Sequence, residues 1–169
     1  MANVFEPEFD AGAETPGATY RRARVGRQAG AERLGASVYE LPPGQVSFPY
    51  HWHSANEEML VVLRGRPSLR TPGGWRELHE GEVVAFPIGS DGAHQVANRT
   101  PEAVRVMVVS EMNSPELSGY PDSGKLLAAD RAPGAPASAG SHFRFFRIAD
   151  EVDYWDGEEP PDLDAVDQA

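Results

Sequence analysis

The hydrophobic residues in the middle of the chain occur in short runs that Gly, Pro, Asn and Asp interrupt at regular intervals. Short apolar runs between turn residues are typical of β-strands, and no stretch shows a convincing helical period. The pattern therefore predicts an all-β barrel or sandwich. We expect strands near residues 35–41, 46–53, 57–64, 66–71, 75–79, 82–87, 93–98 and 103–110, with a hairpin tip at residues 72–74.

Two of these runs, Met59–Leu63 and Val104–Val109, are apolar at almost every position. A strand with this pattern is buried on both of its faces, since alternate side chains point to opposite sides of a sheet. One face would line the barrel, and the other needs a cover. That cover would come either from the terminal segments or from a second subunit, and we expect a homodimer.

Four regions differ in composition along the chain. Residues 1–32 form a polar N-terminal extension, and residues 33–112 form the predicted barrel. Residues 113–141 are expected to be a loop followed by a flexible linker rich in Ala, Pro and Gly. Residues 142–169 begin with an aromatic cluster and end in an acidic tail. Because exposed aromatics lose favourable burial, we expect this cluster to dock on an apolar face of the barrel.

Composition excludes several classes of function. The chain has no cysteine, so any metal must be held by His and carboxylate side chains. Its net charge of −11 argues against a nucleic-acid partner, because a phosphate backbone requires a basic surface. No apolar run is long enough to span a bilayer, and the acidic N-terminus does not resemble a signal peptide. We therefore expect a cytoplasmic protein with no membrane partner.

Two histidines and a carboxylate are the first candidates for chemistry. His51 and His53 lie two residues apart on a predicted strand, so both side chains point to the same face. Glu57 and Glu58 follow at the start of the next strand, and His94 begins a later one. Imidazole and carboxylate donors suit Zn, Fe, Mn, Ni or Cu without selecting one of them. Taken alone, a His-x-His pair is as often an ordinary surface or core feature.

The spacing around these residues resembles the two motifs of the cupin superfamily. The first motif is a Gly, six residues, His-x-His, four residues, Glu, six residues and Gly; its members here are Gly44, His51, His53, Glu58 and Gly65. The second is a Gly, five residues, Pro-x-Gly, a gap, His, three residues and Asn; its members here are Gly81, Pro87, Gly89, His94 and Asn98. The gap before His94 is four residues where the motif has two, which lengthens a turn.

The resemblance implies a double-stranded β-helix barrel of the jelly-roll type, with one divalent transition metal in its mouth. It also implies the metal ligands, which carry over to His51, His53, Glu58 and His94. Glu57 is the rival of Glu58, and the six-residue spacing to Gly65 favours Glu58. By contrast, Asn98 is expected to be a structural hydrogen-bonding residue. For His79 we expect a place on the surface, and His142 receives no role.

The resemblance leaves the reaction open, because one fold hosts many functions. One hypothesis is a small metalloenzyme of the oxygenase or isomerase type, acting on a small organic molecule. The alternative is a non-catalytic cupin that binds or senses a small molecule. An intact set of four convergent polar groups favours the enzyme, and no catalytic residue beyond the metal ligands is assigned.

Overall fold

A computed structural model of the chain describes residues 1–132 and 142–160. Within these residues the chain is nearly all β-structure, as the hydrophobic pattern predicts. The strands are β1 (Ala11–Thr15), β2 (Ala18–Ala23), β3 (Leu34–Leu41), β4 (Trp52–His53), β5 (Glu58–Arg64), β6 (Ser68–Thr71), β7 (Gly74–Glu77), β8 (Val83–Phe86), β9 (Gln95–Ala97), β10 (Val104–Glu111), β11 (Glu116–Tyr120), β12 (Lys125–Ala129) and β13 (Phe143–Arg147). The helix α1 (Val25–Gln28) and 3-10 turns at Ser90–Gly92, Pro121–Ser123 and Ile148–Asp150 complete the described structure.

The strands form three antiparallel sheets. The largest has the order β1-β2-β3-β10-β5-β8, and the others have the orders β13-β12-β11-β4 and β7-β6-β9. Isolated bridges from Val46 to Ala97 and from His51 to His94 join the two smaller sheets at the edge where β4 meets β9. The predicted hairpin at residues 72–74 is confirmed, because β6 pairs with β7 across that turn.

The main core lies on the inner face of the large sheet. Leu60 and Val62 on β5 are 0% and 2% exposed, whereas Met59 on the same strand is 39% exposed. This alternation follows from the two-residue period of a strand. The core therefore builds a stiff wall of β3, β5 and β10, and the candidate site residue Glu58 begins one of these strands.

The outer face of the large sheet is covered in part by the N-terminal segment. Val38 and Val25 form a second apolar cluster there, against which Val4, Phe9 and Met107 pack. The terminal segments thus supply one of the two covers considered for the doubly apolar strands. Farther along the sheet, Met59 and Val83 keep 39% and 57% of their surface exposed. The homodimer stays a prediction.

Residues 113–141 differ from the expected loop and linker. The chain forms a β-hairpin there, in which Glu116–Tyr120 pairs with Lys125–Ala129, so the expectation of a loop is wrong for these residues. The first strand contains Ser118 and Gly119, which are poor signals for a strand in sequence. Position 119 requires a glycine, because a Cβ there would lie 2.2 Å from Trp52 Cε2. The expected linker falls mostly at 133–141, outside the described residues.

The C-terminal segment is paired with the sheet, although its side chains are not buried. Strand β13 pairs antiparallel with β12 along its whole length. Phe145 and Phe146 are nevertheless 50% and 55% exposed, and Tyr154 and Trp155 are 87% and 64% exposed. The expected docking of this aromatic cluster on the barrel is therefore wrong for Tyr154 and Trp155. The end of the acidic tail, 161–169, lies outside the described residues.

In the part of the chain that the structure describes, no helix has the length and apolar character needed to cross a membrane.

Candidate functional site

The structure brings the four predicted ligand residues together. His51 and His94 face each other across a backbone bridge, in which His94 N donates to His51 O at 2.8 Å. Their ring centroids are 4.8 Å apart, and the His51 and His53 centroids are 4.9 Å apart. Glu58 Oε2 lies 3.2 Å from His94 Nε2 and 3.6 Å from His53 Nε2. We call these four residues the histidine cluster.

Strand register places Glu58, and not Glu57, in this cluster. Glu58 pairs with Phe86 on one side and with Ser110 on the other, and its side chain points inward. Glu57 is exposed, and its backbone N–H bonds to the Glu111 carboxylate at 3.2 Å. Strand register thus keeps Glu57 out of the cluster, and the role of Glu58 as a metal ligand stays a prediction.

Backbone carbonyls orient two of the imidazoles. His51 Nδ1 donates to Pro49 O at 2.9 Å, and His94 Nδ1 donates to Gly92 O at 2.9 Å. A carbonyl oxygen can only accept, so each Nδ1 carries the proton and each Nε2 keeps a lone pair. This tautomer is the one that leaves Nε2 available as a metal ligand.

The third imidazole is oriented by Glu116, a residue that sequence analysis missed. His53 Nδ1 lies 3.6 Å from Glu116 Oε1 and 3.3 Å from Ser118 Oγ. Glu116 is only 2% exposed and is held by hydrogen bonds from Ser54 N and the Asn56 side chain. Glu116 is 63 residues from His53 in the chain and lies on a strand that was expected to be a loop. No local sequence pattern therefore links it to His53. The arrangement is the carboxylate–histidine pair that commonly supports a metal ligand.

Three groups of the histidine cluster have shifted pKa values, and burial and neighbouring charge set the direction of each shift. Burial, reinforced by His94 and His53, lowers the pKa of His51 to about 3, so this ring is neutral at physiological pH. Burial opposes the charged form of His53, but Glu116 and Glu58 outweigh it and raise its pKa. Burial likewise opposes ionisation of Glu58, but the neighbouring imidazoles of His94 and His53 lower its pKa. The cluster thus combines a carboxylate with imidazoles, a set that attracts a cation.

Aromatic rings fix the imidazoles in place. Phe86 stacks on His94 with centroids 3.9 Å apart and an interplanar angle of 11°. Tyr120 stacks on His51 at 5.9 Å and 16°. Phe48 lies 6.0 Å from His51 and packs against the inner core, although strict alternation along a strand at 46–53 would place it on the face opposite His51 and His53. Alternation fails here because the strand predicted at 46–53 is regular only at Trp52–His53.

The remaining polar candidates play structural or surface roles. Asn98 is 1% exposed, and its amide donates to Leu41 O at 2.9 Å and Glu102 O at 2.7 Å. This confirms its expected role as a hydrogen-bonding residue of a turn. His79 and His142 are exposed on the surface, away from the cluster.

The histidine cluster lines a cavity of about 540 Å³. This volume is in the range of sites that hold small molecules. Much of the wall is apolar and comes from the large sheet, including Leu60, Val106 and Val108. Polar groups are concentrated at the histidine cluster and around Arg22, which also lines the cavity. Such a cavity can bury a small organic molecule and present one part of it to the cluster.

The donor set suits a divalent transition metal in its chemistry. Two atoms each about 2.1 Å from one ion lie roughly 3.0 to 3.4 Å apart at octahedral and tetrahedral angles. The distances from Glu58 Oε2 to the two imidazole nitrogens, 3.2 and 3.6 Å, are close to this range. Among residues 1–132 and 142–160, no group of three or more His, Asp or Glu side chains is arranged so that it could hold a metal ion. The residue types present fit a divalent transition metal, because imidazole nitrogens and a carboxylate oxygen are donors that such ions take.

A known protein family matches the middle of the chain. The family of the Cupin domain matches residues 37–110, which include both motifs and the whole histidine cluster. Among proteins of curated function, none matches the chain significantly.

Solved structures resemble the chain over most of its length. A protein of Acidithiobacillus ferrooxidans, provisionally called a sugar phosphate isomerase, is 25% identical with a TM-score of 0.70 and covers 82% of each chain. A Silicibacter pomeroyi protein, called a sugar phosphate isomerase from a cupin superfamily, is 26% identical with a TM-score of 0.68. That match covers 83% of this chain and 98% of the other.

A more distant structure shares only the fold. The polyketide cyclase RemF from Streptomyces resistomycificus is 23% identical with a TM-score of 0.54, over 66% of this chain and 78% of that one. The motifs, the double-sheet architecture and these matches agree with one another. Residues 37–110 of the chain form a cupin domain.

Proposed function

We propose that the chain is a metal-dependent enzyme that isomerises a small organic molecule in the cavity. The observation that carries this proposal is the convergence of His51, His53, Glu58 and His94 on one wall of that cavity. A barrel with a purely structural role has no need of three oriented imidazoles and a buried carboxylate, since burying polar groups is unfavourable. The alternative, a non-catalytic sensing cupin, is separated from the enzyme by the turnover test below.

Likeness to solved structures favours an isomerase over an oxygenase. Two proteins at 25–26% identity, which match more than four fifths of this chain, are called sugar phosphate isomerases. Fold alone does not determine a reaction. The likeness supports the proposal because it comes together with a cavity of suitable size and a complete donor set.

Several residues of the chain would contribute to this chemistry. A divalent metal ion held by the histidine cluster would act as a Lewis acid on a substrate oxygen. Glu116 would keep His53 Nδ1 protonated and the ring in its orientation. Burial raises the pKa of Tyr39 to about 12, so its hydroxyl stays protonated in the wall of the cavity. The apolar wall at Leu60 and Val106 would exclude water from the bound molecule.

The proposal is tested first by metal content and then by proton exchange. Protein purified without added metal is analysed for bound transition metals, and a His51→Ala, His53→Ala double variant is expected to lose them. Metal-loaded protein is then incubated in deuterium oxide with a panel of aldose and ketose phosphates. An isomerase that moves a proton between neighbouring carbons is expected to introduce deuterium or form the isomer, which proton NMR detects.

Matched controls lie within the chain. His79→Ala removes an exposed histidine and is expected to retain the metal, and Glu57→Gln is expected to retain it where Glu58→Gln does not. Protein that holds no metal, and gains no thermal stability from any divalent ion, would rule out the metal centre. Bound metal with stoichiometric ligand binding and no turnover would instead favour the sensing alternative.

A further inference from the structure

The cavity carries arginines far from the histidine cluster. Arg22 on β2, Arg24, and Arg27 on α1 all line it, whereas its carboxylates are Glu32 and Glu58. This local excess of positive charge occurs in a chain whose net charge is −11. Arg24 is paired with Asp10, so among the described residues the unpaired positive charge of this lining comes from Arg22 and Arg27.

Arg22 is the arginine whose guanidinium is both oriented and available. Its Nε donates to Ser37 Oγ at 3.0 Å, and its Cζ lies 5.5 Å from the centroid of the Tyr39 ring. Arg21, Arg24 and Arg105 are each paired with a carboxylate, but Arg22 has no ion pair among the described residues. Both Nη atoms of this group remain available to a ligand in the cavity.

Strand register sets the span between Arg22 and the histidine cluster. Ser37, which holds the guanidinium, pairs with Val108, and Val108 pairs with Leu60 on β5. Glu58 lies two residues before Leu60 on that strand. With strands about 4.8 Å apart and about 3.3 Å per residue, Ser37 and Glu58 are roughly 12 Å apart across the sheet. A molecule several carbons long would span this distance, with apolar wall between its two ends.

We propose that Arg22 binds an anionic group, a phosphate or a carboxylate, at one end of the substrate while the other end lies at the histidine cluster. A guanidinium recognises either anion through two parallel N–H donors, and one with its Nε already held loses little freedom on binding. The inference rests on the proposed function only in taking the cavity as the substrate site. It adds a specificity residue and restricts the substrate to anions.

Three related probes test the proposal by isothermal titration calorimetry of the full chain. Glucose 6-phosphate carries a phosphate, gluconate carries a carboxylate, and glucose carries neither. We expect at least one of the two anions to bind about tenfold or more tightly than glucose, and Arg22→Gln to remove that preference. About tenfold is the factor expected when a charge-assisted hydrogen bond is lost. The better anion identifies which group the site prefers.

Three further variants separate position from charge. Arg22→Lys keeps the charge without the planar fork and is expected to give an intermediate affinity. Ser37→Ala keeps Arg22 but removes the atom that holds it, and a smaller loss is expected. Arg66→Gln removes one positive charge at a residue that is 62% exposed, and it is expected to leave the affinities unchanged. Melting temperature and metal content are measured for every variant, which separates binding defects from misfolding.

Metal-free and metal-loaded protein are titrated in parallel, so this proposal and the proposed function fail in distinguishable ways. If the unaltered protein shows no turnover or binds no metal, but still prefers an anion in a way that depends on Arg22, the isomerase is contradicted and the anion site is supported. Equal affinity for glucose and both anions, absence of binding by either anion at millimolar concentration, or an unchanged preference in folded Arg22→Gln protein would overturn the anion site.

Discussion

The cavity wall and the C-terminal strand β13 use similar residue types to different effect. In the wall, Phe86 and Tyr39 are 4% and 7% exposed, and they contact other side chains within the barrel. In β13, Phe145 and Phe146 are 50% and 55% exposed, although the backbone of that strand is fully paired with β12. Backbone pairing alone thus positions a strand, whereas burial from two sides is what orients the side chains of the candidate site.

The two regions are linked through one aromatic contact. Phe145 lies 5.7 Å from Tyr120, and Tyr120 stacks on His51. The C-terminal strand therefore reaches the histidine cluster through a single intervening ring. The comparison predicts large effects from substitutions in the wall, intermediate effects behind the cluster and small effects at the surface.

The largest effect is expected from shortening a fully buried side chain of the wall. Leu60→Ala should lower the free energy of unfolding by about 2–5 kcal/mol, because it removes buried methyl groups and leaves a cavity. Met59→Ala, on the adjacent outward position of β5, should lower it by about 1 kcal/mol or less. Urea titrations of both variants measure the difference, and equal losses would contradict the assignment of inner and outer faces.

Removing the charge behind His53 is expected to weaken metal binding rather than abolish it. Glu116→Gln should reduce the metal affinity by about 10- to 100-fold, the range found for residues that orient a metal-ligating histidine. Glu102→Gln, at an exposed carboxylate, is the control and should leave the affinity unchanged. Competition with a metal chelator gives both affinities. An unaltered affinity in Glu116→Gln would show that the His53 orientation does not depend on this carboxylate.

Removing the contact between Phe145 and Tyr120 is expected to have a modest effect on stability. Phe145→Ala should lower stability by about 0.5–1.5 kcal/mol, the contribution of an aromatic pair, since the ring is already half exposed. Phe146→Ala, one residue further along the same strand, removes a ring with similar exposure that does not contact Tyr120. Thermal melts of the two variants compare them directly, and identical losses would mean that the Phe145–Tyr120 contact adds nothing.

The smallest effect is a pH-dependent one at the surface of the large sheet. Burial works against the ionisation of Glu40, but hydrogen bonds and charge from Arg21 and Arg105 lower its pKa below the ordinary value of 4.5. A lowered folded-state pKa contributes stability above the ordinary value and loses it as the pH falls through the folded-state value.

Glu40→Gln should therefore be less stable than the parent chain by about 1 kcal/mol at neutral pH, because the Arg21 partner is exposed and the Arg105 partner is only partly buried. The difference should disappear at pH values well below 4.5, where Glu40 is protonated in both the folded and unfolded states. Melting temperatures across this range provide the measurement. A difference that persists at low pH would assign the effect to packing and not to charge.

Sequence determined the features that depend on local spacing. The two-residue strand period and the turn residues located the barrel strands, and the spacing between Glu58 and Gly65 separated Glu58 from Glu57. The resemblance to cupins singled out the four residues that meet in the histidine cluster, because the two motifs keep their members in order. These are properties of residues that are neighbours in the chain or are held in a recurrent pattern.

Only the tertiary structure decided the features that depend on distant parts of the chain meeting. Glu116 reaches His53 because Ser118 and Gly119 pair with β4, and Arg22 faces the cavity because Ser37 on the neighbouring strand holds it. Phe48 points inward because the chain around it is irregular, so alternation does not apply. Contacts of this kind depend on sheet register and on burial from opposite sides, and a single sequence carries no local pattern that encodes either one.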